Sequence, residues 1–343
     1  MEKKVTLKDI AVKAGFSTIT VSKALRNHQD ISENTRQFIK QIAAELGYVK
    51  NASATSLRTG STYTLAFIIG DITNPFFGIL ARYVEQHAKA EGYTIIVMNT
   101  DEVPEKELDA VKAAISSNVD GVLIVPCQKD DTAIRLMESH NLPYVLIGRY
   151  FPECTRHTVT IDDYSGGYQA ATHLLDQGYT RILMLNAEPD LSASTERFRG
   201  YQQAHLDRGI IPDSSLCVYG KSTTGECEET LEKCASVSFD ALFAYNDILA
   251  FQAITLLEKK GYRIPQDLAV VGFDDISSHV GYLPPITSVS VPFDNLAESS
   301  VNQILAQIKN LPVDPMTIVK VQLNIKDTTP SKRESGLEKG TRL

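Results

Sequence analysis

The 343-residue sequence lacks the motifs that build metal sites and disulfide scaffolds. Its five cysteines include no CxxC pair, and its seven histidines form no HExxH motif and no cluster with cysteine. An odd number of loosely spaced cysteines is typical of reduced thiols rather than of a disulfide framework. We therefore expect no metal site, no cofactor and no structural disulfide.

Long apolar runs are also missing. The sequence has no stretch of 18 or more apolar residues, and the segment "MEKKVTLKDI" lacks the apolar run of a secretory signal. The composition, 43% apolar and 22% charged, is typical of soluble globular proteins, and the length predicts two or three domains. These features predict a cytoplasmic protein that has no membrane partner.

Enzyme motifs are absent as well. The first strand-like run is followed by "DITNPFF" and not by G-x-G-x-x-G, so no glycine turn exposes backbone amides to a pyrophosphate. The segment "GKST" at 220–223 resembles the end of a phosphate loop, but Ser215 stands where the first glycine is required. The Asp pairs at 162–163 and 274–275 are adjacent in sequence, and adjacent side chains of an extended chain point to opposite sides. We expect no enzyme activity.

Charge is unevenly distributed along the chain. Residues 1–60 contain ten Lys and Arg against five Asp and Glu, whereas residues 61–343 contain 24 against 37. A small basic head therefore precedes an acidic body. This asymmetry is typical of a polyanion-binding module joined to a domain that avoids such contacts.

From residue 62 onward, apolar strand-like runs alternate with amphipathic helical segments. The first block contains "YTLAFIIG", "TIIVMN", "GVLIVP" and "PYVLIG", and a second block contains "HTVTID", "RILMLN", "ALFAYN" and "LAVVGF". Such alternation predicts parallel sheets built from βαβ units. Two blocks indicate two sheets, and "TSVSVP" and "TIVKVQLNI" add further strands around one more helix.

The head has the pattern of a helix-turn-helix. Thr6 can cap a first helix, Gly15 can form the turn, and Ser17 can cap a second helix. A third helix over residues 33–46 completes a minimal core. The residues that we expect to face this core are Leu7, Ile10, Ala11, Val21, Ala24, Leu25, Phe38, Ile39, Ile42 and Leu46.

The outer face of the second helix is suited to the major groove of DNA. Thr18, Ile19, Lys23 and Asn27 remain exposed there, where Lys23 can donate to guanine and Ile19 can contact a thymine methyl. Ser17, Thr20 and Ser22 are better placed for phosphates, which fix the register of binding. The residues alone leave open a small helical domain whose polar positions are merely solvated.

The segment "TLKDIAVKAGFSTITVSKALRN", followed by "ISENTRQFIKQIAAELGYVKNASATSLRTG", resembles the DNA-binding head and hinge of the lactose-repressor/galactose-repressor family. The resemblance continues through "DITNPFF", "DGVLIVP", "ERFRGY", "AYND" and "VGFDD" and covers residues 5 to about 326. It implies a lambda-repressor-like, all-α helix-turn-helix head. The body is then a two-lobed, type I periplasmic-binding-protein-like α/β domain with parallel sheets.

The resemblance also implies domain boundaries. Residues 1–50 form the head, 51–61 the hinge helix or linker, 62–326 the effector-binding and dimerisation body, and 327–343 a flexible tail. Within the body, the N-lobe takes about 62–161 and 292–322, and the C-lobe about 162–291 and 323–326. Lys50 and Thr55 depart from the residues that are usual in the family hinge.

The hinge is implied to insert Leu57 into the minor groove of operator DNA. The complete set of expected DNA contacts is Thr6, Ser17, Thr18, Ile19, Thr20, Ser22, Lys23, Asn27, Asn51 and Leu57.

Ligands of open α/β sheets bind beyond the carboxyl ends of the strands, so a cleft between two lobes is the expected effector site. The expected effector contacts are Asn74, Phe76, Arg149, Asp162, Arg197, Asn246 and Asp274. These residues offer an aromatic face, amides, guanidinium groups and carboxylates, which suit a sugar or another polyol. Structural roles stay open: Asn246 and Asp274 could cap helices, and Arg149 could pair with an acidic neighbour.

Together these patterns predict a DNA-binding transcriptional regulator that is controlled by a small ligand. A repressor is expected rather than an activator. A transport-type sugar-binding protein would share the body but has no use for the basic head. We expect a homodimer, and the stripe Phe77, Leu80, Ala81, Val84 and Ala88 is a candidate dimer face unless it packs on its own sheet. The tail has no leucine heptad that would pair dimers.

Overall fold

The computed structural model describes residues 5–48, 60–152, 156–220, 227–232, 237–331 and 341–342. The chain divides into two compact units, Met1–Thr62 and Tyr63–Leu343. The predicted hinge contacts Asn51 and Leu57, and the neighbouring Lys50 and Thr55, lie outside the described residues. No helix in the described ranges is long and apolar enough to cross a membrane.

The first unit is a three-helix head. Its helices are α1 (Leu7–Ala14), α2 (Thr18–Leu25) and α3 (Glu33–Glu45). Gly15 ends α1 with φ of 72°, a left-handed conformation that glycine adopts without steric cost. Ile10, Val21 and Ile39 are completely buried where the helices meet. The predicted helix-turn-helix is thus confirmed.

Phe38 is the exception to the predicted head core. Its side chain is 48% exposed and packs edge-on against Phe16, with ring centroids 6.5 Å apart. The prediction was wrong because Ile39 and Ile42 already fill the space between α3 and the other helices, so Phe38 lies at the edge of that face.

The second unit contains two lobes, each built on a six-stranded sheet. The N-lobe strands, in spatial order, are β12 (Met316–Val319), β5 (Thr158–Ile161), β4 (Tyr144–Ile147), β3 (Gly121–Ile124), β1 (Thr64–Ile69) and β2 (Thr94–Asn99), all parallel. The C-lobe strands are β13 (Gln322–Asn324), β11 (Thr287–Ser290), β10 (Ala269–Asp274), β9 (Ala241–Ala244), β6 (Ile182–Asn186) and β7 (Cys217–Tyr219).

Helices cover both faces of each sheet. The N-lobe helices are α4 (Pro75–Ala90), α5 (Pro104–Ser116), α6 (Thr132–Ser139) and α11 (Phe293–Ile308), and the C-lobe helices are α7 (Asp163–Asp176), α8 (Ser192–Leu206), α9 (Cys227–Glu232) and α10 (Asp247–Lys259). The central strands are buried from end to end, as their continuous apolar runs require.

One strand departs from the predicted parallel sheets. β13 pairs with β11 in antiparallel orientation. The chain crosses between the lobes after β5, after β11 and after β12. Because β12 leads directly into β13, the chain enters the C-lobe from the edge at which the other strands end, and it must run against them.

The apolar stripe of α4 is not a free face. Phe77, Leu80, Val84 and Ala88 are buried against the N-lobe sheet and α11. The alternative of packing within the lobe is therefore the observed one, and this stripe cannot form a dimer interface. An amphipathic period in the sequence shows that a helix face is buried but not which partner covers it.

Two segments contain more structure than their sequence patterns indicate. The polar segment between residues 209 and 238 holds β7 and α9. The segment predicted as a flexible tail begins with buried residues. The hydroxyl group of Thr328 accepts from the Thr287 amide and donates to the carbonyl oxygen of Val270, both at 2.8 Å, and that of Thr329 lies 2.8 Å from Nε2 of His173. Hydroxyl groups anchor this segment, so no apolar period marks it. Strand β14 (Thr341–Arg342) pairs with β8 (Ser238–Phe239).

Helices α7 and α8 approach each other through glycines. A Cβ atom on Gly200 would lie 2.1 Å from the carbonyl oxygen of Tyr164, and one on Gly167 would lie 2.2 Å from that of Arg197. Such contacts are with backbone, which cannot rotate away. Gly200 of "ERFRGY" and Gly167 of α7 therefore fix how α8 presents Arg197.

We expect Gly200→Ala to lower the free energy of unfolding by about 1–3 kcal/mol, because the added methyl group forces these helices apart. Gly78→Ala in α4 is the control, since nothing lies within 4 Å of its added Cβ. It should stabilise the protein by up to about 1 kcal/mol through helix propensity. Urea unfolding measures both, and an unchanged midpoint for Gly200→Ala would contradict the packing argument.

Candidate functional site

The outer face of α2 carries short polar and apolar side chains that have no core to fill. Ser17 caps the helix by accepting from the Thr20 amide at 3.0 Å, and the two hydroxyl groups lie 2.9 Å apart. Thr18 is exposed, and Ile19 is 69% exposed. An exposed isoleucine beside hydroxyl groups on a basic unit is suited to contact with base edges.

Basic groups flank this face. Lys23 forms an ion pair with Asp30, and His28 lies 2.8 Å from the same carboxylate. Arg26 donates to the carbonyl oxygen and the hydroxyl group of Ser22. Arg26 was missed by the sequence analysis, although its place one turn beyond Ser22 on the same face marks it.

Thr6 and Asn27 have structural roles at the helix ends. Thr6 forms a capping box with Asp9, whose carboxylate accepts from the Thr6 amide at 2.8 Å. Asn27 follows α2 in the left-handed conformation with φ of 58° and is exposed.

A cleft of about 680 Å³, open to solvent, lies between the two lobes of the body. Its lining is Asp71, Asn74, Phe76, Phe77, Glu102, Val125, Ile147, Gly148, Arg149, Ile161, Ala193, Arg197, Tyr245, Asn246, Asp274 and Leu296. Six of the seven predicted effector residues are in this set, and Asp162 is the one that is not. Five of the six lie at or close after the carboxyl end of a strand, and Arg197 lies in the second turn of α8.

Asp162 and Asp163 have different surroundings. The carboxylate of Asp162 accepts from the Ser165 amide at 2.9 Å and caps α7. Asp163 points inward and forms an ion pair with Arg197 at 2.8 Å, with both side chains at least 95% buried. Neither carboxyl group is in the cleft lining given above, but Asp163 is the member of the pair that contacts Arg197. The expected ligand contact of Asp162 stays a prediction.

Arg197 is held from several sides at the centre of the cleft. Besides the ion pair, it donates through Nη1 to the carbonyl oxygen of Tyr245, and its guanidinium lies 3.5 Å from the ring centroid of Phe273. Burial opposes its charge, but the neighbouring carboxylates outweigh burial and raise the pKa of Arg197. Its Nη2 group makes no hydrogen bond within the described residues and remains available to a ligand.

Arg149 is paired within the N-lobe. Its two terminal nitrogens donate to the two carboxylate oxygens of Glu102 at 2.7 and 2.9 Å, and Nη1 also donates to the carbonyl oxygen of Pro126. The alternative that Arg149 pairs with an acidic neighbour is thus the observed arrangement, at the wall of the cleft.

Two asparagines combine a capping role with a free donor. The side-chain oxygen of Asn74 accepts from the Phe76 amide and that of Asn246 accepts from the Leu249 amide, which caps α4 and α10. Their amide nitrogens make no hydrogen bond to other described residues. Capping therefore orients both side chains and leaves an NH₂ group at the cleft. The ring of Phe76, backed by Phe293 at a centroid distance of 5.2 Å, adds an apolar surface.

Asp274 is the unpartnered carboxyl group of the site. It lines the cleft, is 95% buried and makes no hydrogen bond within the described part of the chain. Burial raises the pKa of Asp274 well above its ordinary value, against the opposing charge of Arg197. A hydrogen-bond donor on a ligand would satisfy this group.

A buried polar network holds the turn that carries Asp274. Asp274 and Asp275 have φ of 102° and 53°, which is unusual for residues with a side chain. Asp247 accepts from the Ile276 amide at 2.8 Å and from the Ser288 hydroxyl at 2.6 Å. Beyond the turn, Asp275 pairs with Lys326 just past the crossing strand β13.

Contacts at the mouth of the cleft join the lobes. The side-chain oxygen of Gln128 accepts from the amide and the hydroxyl of Ser192 at 3.1 and 3.2 Å, and Lys129 pairs with Asp190 at 2.6 Å. The Tyr150 amide donates to Ser192 as well. Ser192 begins the helix that carries Arg197, so these contacts tie the position of α8 to the N-lobe.

Asp71, Glu102, Tyr245 and Asp163 were missed by the sequence analysis. Asp71 comes two residues after the end of β1, and Tyr245 comes one residue after the end of β9. The expectation that ligand contacts follow strand ends therefore applies to them as well. Glu102 is folded back by consecutive left-handed residues at 101 and 102. No local pattern indicates that return.

The comparisons with known proteins agree with this architecture. Residues 6–51 match the model for bacterial regulatory proteins of the lacI family, and residues 171–329 match a periplasmic binding protein-like domain. The transcriptional regulator DegA of Bacillus subtilis is 32% identical over 85% of this chain and 88% of its own. The chain belongs to the lacI family.

Other family members are similar over most of the chain. The transcriptional repressor PurR of Aliivibrio fischeri strain MJ11 is 30% identical over 89% of this chain and 92% of its own. A complex of the regulator CelR with cellobiose has a TM-score of 0.70 at 27% identity, and it covers 95% of this chain and 100% of that one. A lac repressor dimer bound to operator has a TM-score of 0.82 at 22% identity, with 96% and 100% covered, and shows the fold.

Membership of the lacI family makes the chain a DNA-binding transcriptional regulator with an effector-binding body, and not an enzyme. The two sites described above therefore lie on the two units that such a regulator requires. The individual contacts with DNA and ligand remain predictions.

The network around Asp247 predicts how the stability of this regulator depends on pH. Burial raises the pKa of Asp247 to about 7, from an ordinary value of 3.8. Between these values the folded state holds a proton that the unfolded state releases, so the free energy of unfolding falls as pH rises from about 4 to 7. The loss attributable to this group is of the order of 4 kcal/mol.

Asp247→Asn should flatten this pH dependence, although the variant is less stable because one of the two accepted hydrogen bonds is lost. Urea unfolding at several pH values between 4 and 8 measures the slope. Asp109→Asn, which removes an exposed carboxyl group from α5, is the control. The same slope in Asp247→Asn and in the unaltered protein would show that Asp247 titrates normally.

Proposed function

We propose that the protein is a sequence-specific repressor that binds a roughly palindromic operator as a homodimer, and that a sugar or sugar derivative in the cleft controls its affinity for DNA. The observation that carries the ligand assignment is the unpartnered Asp274 opposite the free donors of Arg197, Asn74 and Asn246. Donors and an acceptor around one aromatic face suit vicinal hydroxyl groups.

Relatives support both parts of the proposal. PurR, which matches nearly the whole chain, is a transcriptional repressor, and CelR is a regulator in complex with cellobiose. An operator-binding repressor acts in the cytoplasm, which agrees with the expectation from the sequence.

The homodimer is supported by exposed apolar side chains at one edge of the N-lobe. Ile96 and Val97 on the edge strand β2 are 39% and 38% exposed, and Ile72 nearby is 60% exposed. An exposed apolar edge strand is a surface that a second copy of the chain would cover. The dimer face then includes this edge and not the apolar stripe of α4. A lac repressor of the same fold forms a dimer on operator.

The DNA part of the proposal is tested at Lys23. Operator sequences are first selected from random duplexes with the full chain. Lys23→Ala should then weaken operator binding by about 1–3 kcal/mol and relax the sequence preference at one position, because the side chain is expected to reach a base edge. Fluorescence anisotropy at several salt concentrations measures the affinity.

Lys112→Ala in α5 removes an exposed lysine of the body and is the control. Equal binding of the selected operator by Lys23→Ala and the unaltered protein would remove Lys23 from the interface. Failure of the full chain to select any duplex at low salt would contradict the DNA-binding role of the head.

The ligand part is tested at Asp274. A panel of mono- and disaccharides is screened by thermal shift, and the affinity of the best ligand is measured by calorimetry. Asp274→Asn should weaken it by about 10-fold, since replacing an acceptor oxygen by NH₂ leaves a hydroxyl group of the buried ligand unsatisfied, which costs roughly 1–3 kcal/mol. The variant should keep its stability because the Asp274 side chain makes no hydrogen bond to another described residue and because the substitution removes a carboxyl group whose charge burial disfavours.

Asp314→Asn removes a carboxyl group outside the cleft and should bind the ligand normally. Arg197→Ala is a poorer test, since it leaves Asp163 buried without its partner, which typically costs about 3–5 kcal/mol. Undiminished ligand affinity in Asp274→Asn would exclude this carboxyl group from the binding site.

A further inference from the structure

The charges of the cleft are balanced within the protein before any ligand binds. Arg149 and Arg197 are the two guanidinium groups of the lining, and each is engaged by a buried carboxylate. The Arg149–Glu102 pair is bidentate, and its side chains are 8% and 17% exposed. Neither arginine therefore presents an uncompensated positive charge to the cleft.

The remaining titratable side chains of the cleft are acidic. Asp71 and Asp274 also line the cleft, and no lysine or histidine is in the part of its lining that the structure describes. The site thus contains two guanidinium groups against four carboxyl groups, Asp163 included. An anionic ligand that paired fully with either arginine would displace its carboxylate and leave that carboxylate buried without a partner, which is strongly unfavourable. A contact with the free Nη2 of Arg197 alone would leave the anion in a cleft whose positive charges are already neutralised.

The hydroxyl groups of an uncharged ligand can bind in the cleft without disturbing its ion pairs. A hydroxyl group directed at Asp274 satisfies an unpartnered buried acceptor, and ring hydroxyls can accept from Nη2 of Arg197 and from the amide of Asn246 without breaking either ion pair. The arrangement favours uncharged polyhydroxyl compounds over their phosphate esters and acid forms.

We propose that Glu102 and Asp163 set the charge specificity of the cleft, so that this regulator responds to an uncharged polyhydroxyl ligand and rejects the phosphorylated or carboxylated forms of the same compound. This inference rests on the proposed ligand-binding role of the cleft. It makes Glu102 and Asp163 specificity-determining residues that act through the arginines they hold.

The first test compares matched ligands on the unaltered full-length protein. Each neutral sugar that binds in calorimetry is paired with its 6-phosphate ester and its uronic acid. The neutral form should bind at least about 100-fold more tightly, since like-charge juxtaposition is heavily disfavoured in a desolvated site. Equal or tighter binding of the phosphate ester would overturn the inference and leave the ligand-binding role intact.

The second test converts the specificity and can be carried out before the natural ligand is identified. Glu102→Gln keeps the shape of the side chain but leaves the guanidinium of Arg149 without a counter-charge at the cleft. Inorganic phosphate should then raise the melting temperature of the variant more than that of the unaltered protein. Phosphate esters should bind the variant at least about 10-fold more tightly than they bind the unaltered protein.

Glu105→Gln is the matched control, because it removes an exposed glutamate three residues away and outside the cleft lining. Phosphate binding by the basic head is common to all three proteins and cancels in the comparison. No gain in phosphate binding by a folded Glu102→Gln would overturn the inference. Should that variant fail to fold, the comparison of matched ligands on the unaltered protein decides the question.

Discussion

The buried ion pair between Arg197 and Asp163 is the interaction on which the binding site depends. It joins the first turn of α7 to the second turn of α8, two helices whose glycines bring their backbones into contact. It also places a guanidinium group over Phe273 at the base of the cleft. Charge, packing and hydrogen bonding act on the same side chain. The remaining donor of Arg197 and the nearby carboxyl group of Asp274 therefore face a ligand in a fixed geometry, which reduces the entropic cost of binding.

The same side chains connect ligand binding to the arrangement of the lobes. Ser192, one helical turn before Arg197, is bound by Gln128 of the N-lobe, and Lys326, beyond the last crossing strand, holds the turn that carries Asp274. A ligand that contacts both lobes therefore acts on the contacts that set their relative position. A hundredfold change in operator affinity needs only about 2.7 kcal/mol of coupling, which a few such polar contacts can provide.

Much of this organisation could be predicted from the sequence, because the apolar runs and helix caps are local signals. Six of the seven expected effector residues line the cleft: strand ends located five of them, and Arg197 lies in a helix. The sequence could not decide contacts whose partner is distant in the chain: Asp163 pairs with Arg197, and the stripe of α4 is covered by α11, more than two hundred residues later. The anchoring of residues 327–331 depends on threonine hydroxyls, and the position of Glu102 depends on two left-handed residues, neither of which hydropathy reveals.

The central claim is that ligand binding in the cleft changes the affinity of the protein for operator DNA. The most direct measurement is the dissociation constant of the cleft ligand, determined by calorimetry on the free protein and on the protein saturated with operator DNA. Linkage requires the ratio of these two constants to equal the ratio of the operator affinities measured with and without ligand. We predict a ratio far from one, in the same direction by both routes, and identical ligand affinities in the two states would contradict the account.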